Sequence, residues 1–376
     1  KIYTKMKKKF LIFSVGRSDY SIMRNIIITS QNTKKIKSYL CLSDVHNQKL
    51  FGKTYTDIKK DNIKNILKIK KIDNGSKLNN TNKIFSFYVA EADKILKRIK
   101  PKTVLLLGDR FEMLAIAIAS FNLNIPICHF CGGSITKGAH DNEFRYSISK
   151  MAYLHFVETI DHKKNLIKLD IPIDRIFKIG APALENLKNF SFNKKKIFKI
   201  FHDKIIKDKK IKLCKFHSET KISLKQNIQN LKILINALST LNENIIFTYP
   251  NRDHGYKQII DVLKKNEKLN KIKIIKNLGI HNYYQFLKYS HLMVGNSSSG
   301  IIESGFFKIP TINMGKRQEG RIKNINTIDC DFKRQMIINK ARKLLNFKRK
   351  NYKFNDKYKF RSSSKNIISL IDKKIN

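Results

Sequence analysis

Several short segments of this chain gather the residue types that bind anions or move protons. Gly16-Arg17-Ser18-Asp19-Tyr20 follows an apolar run and opens a helical pattern, where unsatisfied N–H groups and the helix dipole favour an anion. Arg17 is a candidate phosphate partner, although a Gly-Arg turn with a helix-capping Ser18 would read the same. Leu107-Gly108-Asp109-Arg110-Phe111-Glu112 ends a strongly apolar strand. Asp109 and Glu112 then fall at its C-terminal edge and in the next helical turn, available for proton transfer; the plainer alternative is that Asp109 only caps that helix. His129-Phe130-Cys131-Gly132-Gly133-Ser134 follows another buried strand, and its glycine pair permits close approach of backbone to a ligand. A helix beginning near Asp141 places Arg145 one turn further on, a spacing that suits a binding pair and a plain surface pair alike.

The second half carries two more. Lys215-Phe216-His217-Ser218-Glu219 ends a strand and points His217 toward an interdomain cleft, for catalysis or phosphate contact. Gly295-Asn296-Ser297-Ser298-Ser299-Gly300-Ile301-Ile302-Glu303 is the most specific segment. Small hydroxyl residues and Gly300 stand where a strand gives way to a helix, offering hydroxyl and N–H donors to a diphosphate, with Glu303 expected in the helix's first turn to accept from ribose hydroxyls. Arg317 and Arg321 lie in the following loop as cationic help.

These segments need strands to end at them. Apolar runs at 10–15, 38–42, 103–107, 125–130 and 155–158 alternate with helical patterns in the first half, and runs at 211–216, 244–249, 272–275, 292–294 and 311–313 do so in the second. Such alternation predicts parallel sheets of βα units. The chain therefore divides into an N-terminal Rossmann-like domain, 1–188, carrying the acids, and a C-terminal one, 189–376, with a basic helical tail. Residues 190–210 read as the linker. Ligands of open α/β sheets bind beyond the C-terminal strand ends, so two facing domains form a cleft.

Composition narrows the function classes. The 376 residues suffice for two domains. Lys and Arg outnumber Asp and Glu by 77 to 29, for a net charge of +48, but the lysines spread through nearly every segment instead of gathering into one basic stripe with interleaved aromatic residues. That distribution argues against nucleic acid as the partner. Five cysteines, with only Cys128 and Cys131 at CxxC spacing, offer neither a disulfide framework nor a completed zinc site and predict a reduced, cytoplasmic protein. Lys7-Lys8-Lys9 precedes an apolar run too short for a signal peptide. The longest uncharged stretch, 113–136, is interrupted by Asn, Pro, His and Gly, so no membrane span is expected.

Together the motifs resemble the UDP-N-acetylglucosamine 2-epimerase family, in its hydrolysing branch that supplies precursors of sialic-acid-like sugars. The likeness runs through Gly16 to Tyr20, Gly108 to Glu112, Asn124-Ile125-Pro126-Ile127 to Gly133, His155-Phe156-Val157, Gly180-Ala181-Pro182, Thr248-Tyr249-Pro250-Asn251 and Val294 to Glu303. The resemblance implies a glycosyltransferase-B-like fold with UDP held by the C-terminal domain. It also implies removal of the C2 proton as UDP leaves C1, then hydration of a 2-acetamidoglycal to the free C2 epimer. Asp109, Glu112, Asp141 and His217 are its catalytic candidates, Asp109 being the most directly supported. Arg17, Asp19, Arg145, Asn251, Ser297, Ser298, Ser299, Gly300, Glu303, Arg317 and Arg321 are its substrate contacts. No cofactor is required, Mg²⁺ being at most an enhancer, and a homo-oligomer is implied. The chain departs from the family at Ser134 and Lys137, where many members carry acids, and at Ser218, where proline is usual. UDP-N-acetylglucosamine is the first expected substrate, giving N-acetylmannosamine, and UDP-N,N'-diacetylbacillosamine the alternative. A glycosyltransferase and a non-hydrolysing epimerase are the competing enzymes.

Overall fold

A computed structural model describes residues 7–48, 54–70, 81–188, 190–201, 204–206, 208–269 and 271–375. Two all-parallel sheets organise the chain. The first contains β1 (Lys8–Ser14), β2 (Ile36–Leu42), β3 (Ile66–Lys68), β4 (Thr103–Leu107), β5 (Ile127–Phe130), β6 (Leu154–Val157) and β7 (Ile176–Lys178), in the order β3-β2-β1-β4-β5-β6-β7. The second contains β8 (Ile211–Lys215), β9 (Asn244–Thr248), β10 (Lys273–Ile275), β11 (Leu292–Gly295), β12 (Thr311–Met314) and β13 (Thr327–Cys330), in the order β10-β9-β8-β11-β12-β13. Central strands such as β4 are buried along their whole length, as a sheet covered on both faces requires.

Each sheet reverses its strand order once, between β1 and β4 and between β8 and β11. A crevice opens at such a reversal because the connections on either side run to opposite faces. Four of the sequence motifs follow these four strands. The two Rossmann-like domains expected from the alternating pattern are therefore present, and their switch points face a common cleft.

Three strands absent from the sequence reading, β3, β7 and β13, lie on or next to sheet edges. They are three or four residues long and partly exposed, so they lack the continuous apolar run that marks the central strands. The segment read as a linker holds a short helix, Lys194–Ile200, whose Ile197 is fully buried. The tail also goes elsewhere than its position in sequence implied. Helix Ser364–Lys374 crosses back onto helix Arg17–Asn32 of the first domain, burying Ile367, Ile368 and Ile371. Lys8 Nζ pairs with Asp372 Oδ1 at 3.2 Å, and the Ala181 N–H donates to Tyr358 O at 2.9 Å.

Candidate active site

The cleft has a volume of about 1130 Å³ and is lined from both domains. On the first-domain side, Arg145 projects from helix Asp141–Met151 and is only 1% exposed. Its guanidinium forms an ion pair with Asp109 and donates to Ser134 O at 2.6 Å and Thr136 Oγ1 at 3.0 Å. Asp109 is thus no helix cap; helix Phe111–Asn122 is flanked by Arg110. Burial alone would raise the Asp109 pKa, but Arg145, with Arg321 and Arg317 beyond it, holds the carboxyl below its ordinary value. The partner of Arg145 is this residue 36 positions upstream, not Asp141 on its own helix.

Asp141 behaves in the opposite sense. Burial and the nearby Asp109 charge push it up to about 6, against the pull of Arg317, whose Nη2 stands 3.7 Å from Asp141 Oδ2. Glu112 is held by Arg110 at 3.2 Å, and Arg110 reaches across the cleft to Asp253 at 3.7 Å. Asp19 turns back on its own loop, accepting from the N–H groups of Val15 at 2.9 Å and Gly16 at 2.7 Å. It fixes the backbone of the turn that precedes its own helix, and burial raises it to about 6. The Arg17 side chain lies outside the described residues. Cys128 and Cys131 are free thiols.

The second domain presents its own switch point. Gly295 ends β11 with φ +142°, and a Cβ there would meet Lys215 O of neighbouring β8 at 1.8 Å. Only glycine permits that approach. Beyond it, Ser297 and Ser299 hydroxyls lie 3.0 Å apart at the start of helix Ser299–Phe306, and Lys215 Nζ donates to Ser299 Oγ at 3.3 Å. Gly300 and Glu303 follow within that helix. Because the helix begins at Ser299, Glu303 stands in its second turn, not its first. There it accepts from Tyr283 OH at 3.0 Å, and burial raises its pKa.

Asn296 clamps the backbone of His217, accepting its N–H and donating to its carbonyl, both at 2.8 Å. His217 Nδ1 accepts from the Asn251 N–H at 3.2 Å, so the neutral ring carries its proton on Nε2. Arg317 Nη1 donates to Asn296 O at 3.1 Å, which joins the serine loop to Asp141 on the opposite wall. Arg321 faces the first-domain acids: among the positive charges acting on Glu158 it is the strongest. Glu158, Arg110 and Asp253 were not singled out in the sequence. Their one signal was position, since Glu158 ends an expected strand and Asp253 follows the Thr248-Tyr249-Pro250-Asn251 turn.

Chemically, the arrangement sets carboxyls of unequal proton affinity opposite a Ser/Gly helix start, a histidine and two arginines. It suits removal of a proton from a weak carbon acid while an anionic leaving group is held. The sequence model of the UDP-N-acetylglucosamine 2-epimerase family matches residues 29–372. The chain is 36% identical to the GDP/UDP-N,N'-diacetylbacillosamine 2-epimerase (hydrolyzing) of Campylobacter jejuni, over 86% of this chain and 85% of that protein. It is 32% identical to the UDP-N,N'-diacetylbacillosamine 2-epimerase (hydrolyzing) of Legionella pneumophila, over 91% and 90%. Among solved structures, the UDP-GlcNAc 2-epimerase of Neisseria meningitidis bound to UDP-GlcNAc superimposes with a TM-score of 0.78 at 20% identity, covering 97% of this chain and all of that one.

Proposed function

This chain belongs to the UDP-N-acetylglucosamine 2-epimerase family, and from that premise we propose that it hydrolyses a UDP-linked N-acetylated amino sugar with inversion at C2. The observation that carries the reading is the opposition of Asp141 and the Asp109–Arg145 pair to the Ser297–Ser299 loop and His217 across one cleft. Asp141 removes the C2 proton: raised to about 6, it is ionised at neutral pH yet more basic than an ordinary aspartate. Asp109, anchored by Arg145, keeps the negative charge that raises Asp141. Arg17, the serine loop with Gly300, and Arg317 meet the departing diphosphate, and Glu303 takes the ribose hydroxyls. Asn251 positions His217 toward the sugar phosphate, and Glu112 fixes Arg110 at the cleft wall. Asp19 supports the loop that carries Arg17.

The elimination gives a 2-acetamidoglycal, and water then adds. The diphosphate charge is met by these cations and helix N–H groups, so the reaction proceeds without a metal; full turnover after treatment with EDTA is the expected result, and loss restored by Mg²⁺ the contrary one. UDP-N-acetylglucosamine and UDP-N,N'-diacetylbacillosamine are the two substrates in question. The higher identities to the two diacetylbacillosamine enzymes favour the second; identity to the Neisseria meningitidis UDP-N-acetylglucosamine 2-epimerase is 26%. Incubation with each UDP-sugar, and with the GDP-linked diacetylated sugar, in the absence of any acceptor tests the reading. Nucleoside diphosphate with a free 2-epimer is expected, whereas a transferase releases neither and a non-hydrolysing epimerase returns a nucleotide sugar.

The proposal extends to a cytoplasmic homo-oligomer that binds no nucleic acid. Its support is the family resemblance together with five unpaired cysteines; light scattering of the purified protein reads the assembly. No helix among the described residues is long and apolar enough to cross a membrane.

A further inference from the structure

Inversion through a planar intermediate needs a proton taken from one face of C2 and another delivered to the opposite face, so one carboxyl on one side is not enough. Most acids of the cleft are already committed. Asp109 is tied to Arg145, Glu112 to Arg110, and Asp19 to the N–H groups of its own loop. Glu158 is not. It follows β6, lines the cleft and is almost wholly buried. Its Oε2 has no hydrogen-bond partner and lies 3.7 Å from His162 Nδ1, and neither nitrogen of that ring has a hydrogen-bond partner either. The Cys131 thiol hydrogen-bonds to the same carboxyl. Asp141 and Glu158 both feel the Asp109–Arg145 pair but have different companions: Arg317 and Asp253 for Asp141, and Arg321, Cys131 and His162 for Glu158. The pair therefore acts on two proton-carrying carboxyls that line the same cleft.

Resting on the elimination and hydration reading above, we propose that Glu158 is a second catalytic acid of this cleft, delivering the hydrogen that ends on C2. In the first step Asp141 takes the C2 proton, a C1–C2 double bond forms and the C1–O bond breaks with UDP. In the second, the Glu158 O–H gives its proton to C2, a water oxygen bonds to C1, and a proton of that water restores Glu158. Asp141 then loses its proton to solvent. Burial pushes Glu158 up to about 7, against Arg321 and Arg145, so much of it is protonated at neutral pH as the step demands. Burial and the same two arginines push His162 down to about 3, so it stands beside Glu158 as a neutral ring and does not draw the proton off as a cation would.

The test separates the two half-reactions by NMR, with wild-type protein, E158Q and E158D. E158Q should still release UDP while formation of the free sugar falls by about 10²-fold or more and the glycal accumulates; E158D should regain part of the hydration. Equal loss of both half-reactions without rescue by E158D, or wild-type rates and products in E158Q, overturns the assignment. Wild-type protein supplied with the glycal provides a readout independent of any variant's folding. Its hydration rate should fall as pH rises through about 7, because the donor must be protonated, and a rate flat across that range overturns the role of Glu158. Wild-type protein that releases no UDP removes the parent reading instead.

Discussion

Asp109 and Asp141 are the same residue type in one cleft, yet their surroundings drive them apart: Arg145 keeps the first ionised, and burial beside that charge makes the second hold its proton more tightly. A base must be deprotonated to act, so kcat should climb as pH rises through about 6, the Asp141 value. Asp141→Asn should cost about 10²- to 10⁴-fold in UDP release. Asp109→Asn removes the charge that raises Asp141, so the rising limb of kcat should move to lower pH; a collapse to the Asp141→Asn level with no shifted limb would make Asp109 the base instead. Little of this division was legible beforehand. The Asp141 to Arg145 spacing looks like a local pair, and only the fold brings Asp109 from 36 residues upstream to claim the arginine. Glu158 read as the last residue of a strand because nothing local marks a carboxyl that tertiary packing will bury.

At the scale of elements, the motifs were legible because chemistry and strand ends coincide. β1 and β4 carry the apolar runs 10–13 and 104–107, β11 is apolar up to its closing Gly295, β8 is buried though interrupted by Lys212, and each is followed within two residues by glycine or a polar residue. The edge strands and the Lys194–Ile200 helix were not, since a half-exposed strand of three residues carries no period to detect. The turn after β5 crosses to the second domain: a Cβ at Gly138 would meet Lys316 O at 1.9 Å, while the Lys137 N–H donates to Glu319 O at 2.9 Å. Gly138→Ala should therefore hold the domains apart without unfolding either. A raised KM and lowered kcat with an unchanged circular dichroism spectrum are expected, and unaltered kinetics would show that this contact is not needed in the working form.

Over the whole molecule, the final helix staples the end of the second domain to the first, so the two sheets are joined twice. Ile371→Ala removes a fully buried side chain from that joint and should cost about 2–5 kcal/mol of stability, read as a lower denaturation midpoint. The net charge of +48 is carried by lysines spread along the sequence and sets a positive field around the molecule, which would attract an anionic substrate. Raising the salt concentration from about 0.05 to 0.5 M should raise KM for the UDP-sugar more than it lowers kcat, because screening weakens long-range attraction before it disturbs buried pairs. One experiment reaches the reaction itself: proton NMR of the purified protein with UDP-N-acetylglucosamine and, separately, UDP-N,N'-diacetylbacillosamine in deuterated water. UDP and a free 2-epimer bearing deuterium at C2 are the expected products, with the substrate that turns over faster naming the branch. Release of UDP without epimerisation, or no release from either sugar, would contradict a hydrolysing 2-epimerase.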